Sequence, residues 1–114
     1  MKERRRFIRF KIPLKIELSL DGILEVAQEG ETIDFSREGL RIFFPFTPLP
    51  KKNPIEFKIY LPKRPVPMVC KGDMRWILSK ENKCEMGVKI EHMEPEDKND
   101  ILEYAYKRWE KELK

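Results

Sequence analysis

The chain has 114 residues, of which 40% are apolar and 39% are charged, and its formal net charge is +4. This length suits one domain with a single modest core, and the patterned apolar residues argue against wholesale disorder. No window approaches the roughly 18 apolar residues that a transmembrane helix requires. No apolar signal-peptide core follows the opening charges. We therefore expect a cytoplasmic protein without a membrane span.

The positive charge is concentrated in the first part of the chain. Residues 1–15 carry seven basic side chains and one acidic side chain, a net charge of +6. The remaining residues carry 17 basic and 19 acidic side chains, a net charge of −2. A general nucleic-acid-binding surface is usually spread along a face. We call this basic N-terminal stretch the basic arm; its side chains must either bind an anionic partner or remain exposed to solvent.

Alternating apolar residues predict a half-buried strand near the start of the chain. The apolar positions of this strand are Ile12, Leu14, Ile16, Leu18 and Leu20. Asp21-Gly22 is typical of a hairpin turn. A second strand is expected to follow, with a turn at Glu29-Gly30, and to end near Phe35. A short polar insert, residues 34–39, separates it from the next strand.

The rest of the chain predicts further strands and then a helix. The strand-like runs are Leu40–Phe44, Ile55–Leu61, Val66–Ile77 and Cys84–Glu91. A proline-rich stretch, PFTPLPKKNP, lies between the first two of them. It predicts a connection or a sheet edge, because proline cannot donate a ladder hydrogen bond. About six strands with short turns indicate an antiparallel barrel or sandwich. From Pro95 the period changes to that of a helix, whose predicted packing face is formed by Ile101, Leu102, Ala105, Trp109 and Leu113.

The chain offers few groups for catalysis or metal binding. Cys70 and Cys84 are too few for a disulfide framework, and we expect two semi-buried thiols on neighbouring strands. His92 has no second His or Cys nearby, which disfavours a zinc site. There is no Ser/His/Asp or Cys/His set and no paired-carboxylate spacing tied to a pocket. We therefore expect a binding protein and not an enzyme.

Two short motifs remain, and each has an ordinary explanation when it is taken alone. An arginine cluster near a terminus is usually a solvated tail. The polar insert has the composition of a capped turn, in which Asp and Ser bond to the backbone and glycine supplies a conformation that other residues resist. The residues of the two motifs are Arg4, Arg5 and Arg9, and Asp34, Ser36 and Gly39.

Together, the two motifs resemble those of the PilZ-domain family, receptors for the bacterial second messenger cyclic di-GMP. The first matches an Arg-Arg-x-x-x-Arg arm and the second an Asp/Asn-x-Ser-x-x-Gly signature. Weaker agreement continues through "MRWI", "EMGVKI" and "MEPEDKNDI", so the resemblance covers nearly the whole chain. It implies an all-β, six-stranded antiparallel barrel of the split-barrel type with a C-terminal helix. The expected parts are a flexible basic arm (1–11), the barrel (12–93) and a helix packed on or across it (94–114).

The resemblance also implies a ligand and a mode of action. Cyclic di-GMP would be bound by Arg4, Arg5, Arg9, Asp34, Ser36 and Gly39, without a cofactor or a metal. Arginine can pair with guanine O6 and N7, stack on a base or bind phosphate, and a carboxylate can accept the guanine N1–H and N2–H groups. The extra arginine, Arg4, favours a stacked ligand dimer. We expect residues 1–10 to clamp over the ligand and to signal to a separate effector in motility, exopolysaccharide or attachment machinery.

Two other functions are compatible with the same residues. A small barrel that binds single-stranded nucleic acid would use basic residues with aromatics such as Phe7, Phe10 and Phe43. The confinement of the charge to one arm disfavours it. The other alternative is a ligand-independent protein-interaction module. The sequence leaves the oligomeric state open between a monomer and a weak homodimer.

Overall fold

The structure is a computed structural model that describes residues 9–20, 23–45, 54–81 and 83–112. In this part of the chain seven strands precede one helix. The elements are β1 (Phe10–Lys11), β2 (Lys15–Leu20), β3 (Ile23–Phe35), β4 (Gly39–Phe44), β5 (Ile55–Tyr60), β6 (Met68–Lys80), β7 (Lys83–Met93) and α1 (Pro95–Glu112). Within these ranges, no helix is both long and apolar enough to cross a membrane.

Six of the strands close into an antiparallel barrel. Their order around the ring is β3-β2-β5-β6-β7-β4, and the pairing of β3 with β4 completes it. Closure gives each strand of the ring two hydrogen-bonded neighbours and so removes the exposed edges of an open sheet. The short strand β1 is additional and pairs with the end of β3. The predicted six-stranded antiparallel barrel with a C-terminal helix is confirmed.

Two details of the predicted strands are wrong. The strand expected from Ile12 begins only at Lys15, and residues 12–14 lie in no strand and separate β1 from β2. Pro13, in the middle of this gap, has no N–H group to contribute to a ladder. The turn expected at Glu29-Gly30 does not exist, since both residues lie inside β3 and pair with β2. Glycine at position 30 instead allows β4 to pass close to β3, because a Cβ atom there would lie 2.6 Å from the carbonyl oxygen of Phe43. The predicted Asp21-Gly22 turn and most of the proline-rich connection lie outside the described residues.

The barrel interior is filled by the alternating apolar residues of its strands. β4 and β5 follow the two-residue period over their whole length. The largest fully buried side chains are Phe35, Phe44, Phe57, Ile12, Leu14, Ile16, Leu18, Ile42, Ile59, Met68, Met86 and Ile101. Four of the alternating residues that identified the first strand, at positions 12, 14, 16 and 18, are among them, so this part of the core follows directly from the sequence pattern.

The helix α1 is attached to the barrel by a narrow apolar face and an ion pair. Ile101 and Ala105 are buried in the core. Trp109, which was predicted on the same face, is 46% exposed. Near the start of α1, the Arg64 guanidinium lies 2.7 Å from a carboxylate oxygen of Asp97, which ties the connection between β5 and β6 to the helix.

The two cysteines lie on neighbouring strands, as predicted. Cys70 is on β6 and Cys84 is on β7, and both are free thiols that are fully buried and not semi-buried. Burial raises the pKa of Cys70 to about 12. Burial is also the main reason that the pKa of Cys84 is raised. Both thiols are therefore part of the core, where a neutral thiol packs as a small apolar group.

Candidate ligand-binding site

The polar insert forms a short turn between β3 and β4, and Ser36 closes it. Its hydroxyl accepts hydrogen bonds from the N–H groups of Glu38 (3.3 Å) and Gly39 (3.2 Å), and it donates one to the carbonyl oxygen of Gly39 (3.1 Å). The N–H of Ser36 donates to the same carbonyl at 2.9 Å. Ser36 is buried. Its hydroxyl therefore shapes the turn beside Asp34, which is a local role that the Asx/Ser composition of the insert predicts.

Gly39 is required for a reason that the sequence does not reveal. Its φ lies outside the left-handed region, so the expectation of an unusual backbone conformation is wrong. A Cβ atom at Gly39 would lie 2.4 Å from the carbonyl oxygen of Val88, where β4 passes very close to β7. The carbonyl oxygen of Glu38 accepts a 2.9 Å hydrogen bond from the N–H of Ile90, also in β7. The turn is thus held against a neighbouring strand.

An irregularity in β3 turns Asp34 to the outer face of the barrel. Thr32 is opposite Ile42, but the next pair along β3 and β4 is Asp34 with Arg41, so Ile33 is one extra residue on β3. In a regular strand, Asp34 would point to the same side as Thr32, which is buried. The bulge reverses this side. It therefore puts the carboxylate of Asp34 on the face that carries Arg41.

Asp34 is held by Arg41 through one of its two carboxylate oxygens. Both Nε and Nη2 of Arg41 lie 2.8 Å from Oδ2 of Asp34. The other oxygen, Oδ1, is buried and has no hydrogen-bond partner among the described residues. Nη1 of Arg9 is 4.0 Å from Oδ1, an ion-pair distance that is too long for a hydrogen bond. Since a buried unsatisfied acceptor is costly, this oxygen is the strongest sign of a ligand position.

The surface beside this carboxylate continues from β3 over β4 and β7 to an aromatic ring on β6. Arg41 is opposite Gly87 in β7, and Gly87 is opposite Trp76 in β6. The indole of Trp76 lies directly over Gly87, because a Cβ atom on this glycine would be 2.2 Å from the indole Nε1. Trp76 is nevertheless 43% exposed. Cross-strand neighbours on one face are about 5 Å apart, so Asp34, Arg41 and Trp76 form one continuous surface, which we call the Asp34–Trp76 surface.

The structure brings four of the six predicted site residues together. Arg9 and Asp34 approach each other, and Ser36 and Gly39 form the adjoining turn. Arg4 and Arg5 lie outside the described residues. In the ranges that the structure covers, no three His, Cys, Asp or Glu side chains are grouped as they would be around a metal ion.

Sequence reasoning missed Arg41 and Trp76. The signal for Arg41 was its position two residues after Gly39, which puts it opposite the end of β3 in a hairpin. Trp76 could have been found from the stretches "MRWI" and "EMGV", which pair across β6 and β7. Their pairing puts the tryptophan opposite Gly87, where the missing side chain leaves room for the indole ring. Neither position could be assigned without the register of the strands.

Comparison with known protein families gives a clear match. The PilZ domain model matches residues 3–107, which is nearly the whole chain. The chain belongs to the PilZ domain family. No curated protein sequence is similar enough to this PilZ chain to count as a match.

Solved structures with the same fold agree with this assignment. The motility inhibitor MotI/DgrA of Bacillus subtilis is 15% identical, with a TM-score of 0.77 over 99% of this chain and 55% of the MotI chain. This PilZ chain therefore spans about half the length of MotI. The PilZ domain of Escherichia coli YcgR, solved with c-di-GMP, is 12% identical, with a TM-score of 0.72 over 97% of both chains. YcgR in complex with c-di-GMP gives a TM-score of 0.69 at 12% identity, over 97% of this chain and 49% of that one.

Proposed function

We propose that this PilZ protein is a cytoplasmic receptor for cyclic di-GMP. The observation that carries the proposal is the buried Oδ1 oxygen of Asp34, which has no hydrogen-bond partner among the described residues. Two guanidinium groups flank the carboxylate, from Arg9 and Arg41. Membership of the PilZ family and the likeness to the c-di-GMP-bound PilZ domain of YcgR support the same ligand.

The chemistry of guanine complements this arrangement. The Watson–Crick edge of guanine presents N1–H and N2–H donors, and Oδ1 of Asp34 is an acceptor that needs a donor. On its Hoogsteen edge, guanine presents O6 and N7, which the planar fork of Arg9 can bind. The 4.0 Å separation between Arg9 and Asp34 leaves Arg9 free to take this role. One purine is thus recognised on two edges by residues from two parts of the chain.

The Asp34–Trp76 surface offers a flat contact for a base. The indole of Trp76 is partly exposed on the same face as Arg41. Stacking of a base on an aromatic side chain contributes ~1–3 kcal/mol. In this proposal Trp76 is the stacking side of the site and Asp34 the hydrogen-bonding side.

The arm completes the site in our proposal. Arg5 and Arg9 act together on the ligand, and Arg4 favours a second, stacked cyclic di-GMP molecule. Because Phe10 and Lys11 already pair with β3, the part of the arm that precedes β1 closes over the ligand, and this ordering offsets part of the contact energy. The closed arm then alters the surface that a separate effector protein contacts. Binding and relay, and not catalysis, are the proposed activities.

Isothermal titration calorimetry with purified protein tests the ligand. We expect cyclic di-GMP to bind with a stoichiometry near two per chain. Cyclic di-AMP should bind at least tenfold more weakly, because adenine has an acceptor at N1 where Asp34 requires a donor. Arg9→Ala should weaken cyclic di-GMP binding at least tenfold, and Arg5→Lys should also weaken it, because a point charge cannot replace the planar fork. Wild-type affinity in Arg9→Ala would refute the assignment of Arg9.

Two further measurements separate the parts of the proposal. Amide exchange in residues 3–10 should slow at saturating cyclic di-GMP, and unchanged exchange would exclude the clamp. Labelled single-stranded oligonucleotides are titrated in parallel with the nucleotide. If they bound and cyclic di-GMP did not, the protein would be a nucleic-acid-binding barrel. If neither bound, it would be a ligand-independent interaction module.

A further inference from the structure

A polar side chain inside the barrel, Thr32, bonds to the backbone where β1 is separated from β2. Thr32 is 2% exposed and is opposite the buried Ile42. Its hydroxyl accepts a 2.7 Å hydrogen bond from the N–H of Leu14 and donates one to the carbonyl oxygen of Ile12. Both of these residues are buried. Thr32 therefore satisfies two backbone groups that water cannot reach.

These two backbone groups lie where the register of pairing with β3 changes between β1 and β2. Lys15 is opposite Glu31 and Lys11 is opposite Asp34, so three residues on one strand face two on the other. Pro13, the middle one of the three, has no N–H group. Two backbone hydrogen bonds flank the irregularity, from Ile12 to Ile33 at 3.3 Å and from Thr32 to Leu14 at 2.8 Å. The hydroxyl of Thr32 supplies the contacts that a regular ladder would have supplied.

The register fixed at this point determines where Arg9 lies. Lys11 is opposite Asp34, so residues at positions 9 and 11 share its face of the sheet. A slip of one residue in β1 would turn Arg9 to the other face. The ion pair between Arg9 and Asp34 at 4.0 Å depends on the existing register.

We propose that Thr32 is a positioning residue for the ligand site. By bonding to Ile12 and Leu14, its hydroxyl holds β1 in the register that brings Arg9 to Asp34. Its effect on affinity rests on the proposed function, whereas its effect on the register does not. Serine retains one donor and one acceptor at this position, and valine retains only the shape.

The test compares Thr32→Val with Thr32→Ser in the full chain. Interstrand NMR contacts that place Phe10 opposite Phe35 should be lost in the valine variant and kept in the serine variant. In both variants, the contacts that place Ile16 opposite Gly30 should remain. Cyclic di-GMP affinity should fall at least tenfold in Thr32→Val and less than threefold in Thr32→Ser. If wild-type protein binds no cyclic di-GMP, the proposed function fails, and the NMR contacts still test the register.

A double-mutant cycle with Arg9→Ala separates positioning from general destabilisation. The affinity loss caused by Thr32→Val should disappear in the Arg9→Ala background, because no guanidinium remains to be positioned. Ile59→Val, a conservative change in the core of β5, is the control and should leave the affinity unchanged. Intact Phe10–Phe35 contacts in Thr32→Val, or an equal affinity loss in both backgrounds, would overturn the inference.

If Thr32→Val does not fold, the wild-type protein still provides a test. The Leu14 amide donates a 2.7 Å hydrogen bond to the Thr32 hydroxyl. Its exchange with solvent should be at least a hundredfold slower than that of an unstructured amide, and Thr32→Ser should keep that protection. Rapid exchange of the Leu14 amide in the folded wild-type protein would overturn the inference.

Discussion

Replacing Asp34 by alanine should weaken cyclic di-GMP binding while leaving the barrel folded. The unpartnered Oδ1 oxygen is the proposed acceptor for guanine. A hydrogen bond to a charged group contributes about 1.5–3 kcal/mol, which corresponds to a loss of affinity of roughly 10- to 150-fold. The cost to stability should be smaller than the roughly 3–5 kcal/mol that removal of one partner of a fully buried ion pair causes. Asp34 is a buried carboxylate with one unsatisfied oxygen, and Arg41, whose side chain is 33% exposed, can be hydrated in its absence.

Calorimetry and urea denaturation of Asp34→Ala measure the two effects separately. Asp97→Ala is the matched control, because it also removes a carboxylate that is paired with an arginine. Its partner, Arg64, lies in the connection between β5 and β6, and this pair holds the helix and not the ligand site. We expect the control to bind cyclic di-GMP like the wild-type protein. Wild-type affinity in Asp34→Ala would refute the reasoning. A collapse of the unfolding midpoint would show that Asp34 acts through stability instead.

An asparagine at position 34 should also bind the ligand poorly, although the family signature allows it. The Nε group of Arg41 donates a hydrogen bond to Oδ2 and Nη2 lies at the same distance from it, so the amide oxygen of asparagine would take that place. The amide nitrogen would then occupy the position of Oδ1. It would present donors to the donors of guanine. Calorimetry of Asp34→Asn should therefore give an affinity loss at least as large as tenfold, and near-wild-type binding would contradict this orientation.

Three further changes test other parts of the structure. Gly39→Ala should lower the free energy of unfolding by ~1–3 kcal/mol, because its Cβ would lie 2.4 Å from the carbonyl oxygen of Val88. Urea denaturation measures this loss, with Glu38→Ala, a change at an exposed side chain in the same turn, as the control. Equal stabilities of the two variants would contradict the prediction. Trp76→Leu should weaken cyclic di-GMP binding roughly five- to hundredfold through lost stacking, and an unchanged calorimetric affinity would exclude Trp76 from the site. Burial raises the pKa of Cys70 from its ordinary value of 9.0 to about 12. The unfolded thiol therefore ionises first, and stability should fall as the pH rises from about 9 towards 12. Cys70→Val should lack this component of the pH dependence in urea titrations, and parallel pH profiles would refute it.

Local sequence patterns were enough to predict the strands and the helix, but they left a barrel and a sandwich as alternatives. Alternation at every second residue identified the strand that contains β2, since one face of a barrel strand is buried and the other is not, and strand-like apolar runs identified β4 and β5. Pro95 and the acidic residues after it marked the start of α1. The two motifs indicated the family, because their residues are recognisable in the sequence without knowledge of their contacts.

The ligand site depends on register, which a single strand does not encode. Strict alternation would have put Asp34 on the same side as Thr32, and only the extra residue Ile33 between β3 and β4 turned it outward. The partnership of Asp34 with Arg41, and the position of Trp76 over Gly87, follow from pairings between strands. Residue types and their spacing along the chain thus determined the elements and the family. The hydrogen-bonded pairing of distant strands decided which side chains meet, because a shift of one residue reverses the face of every side chain.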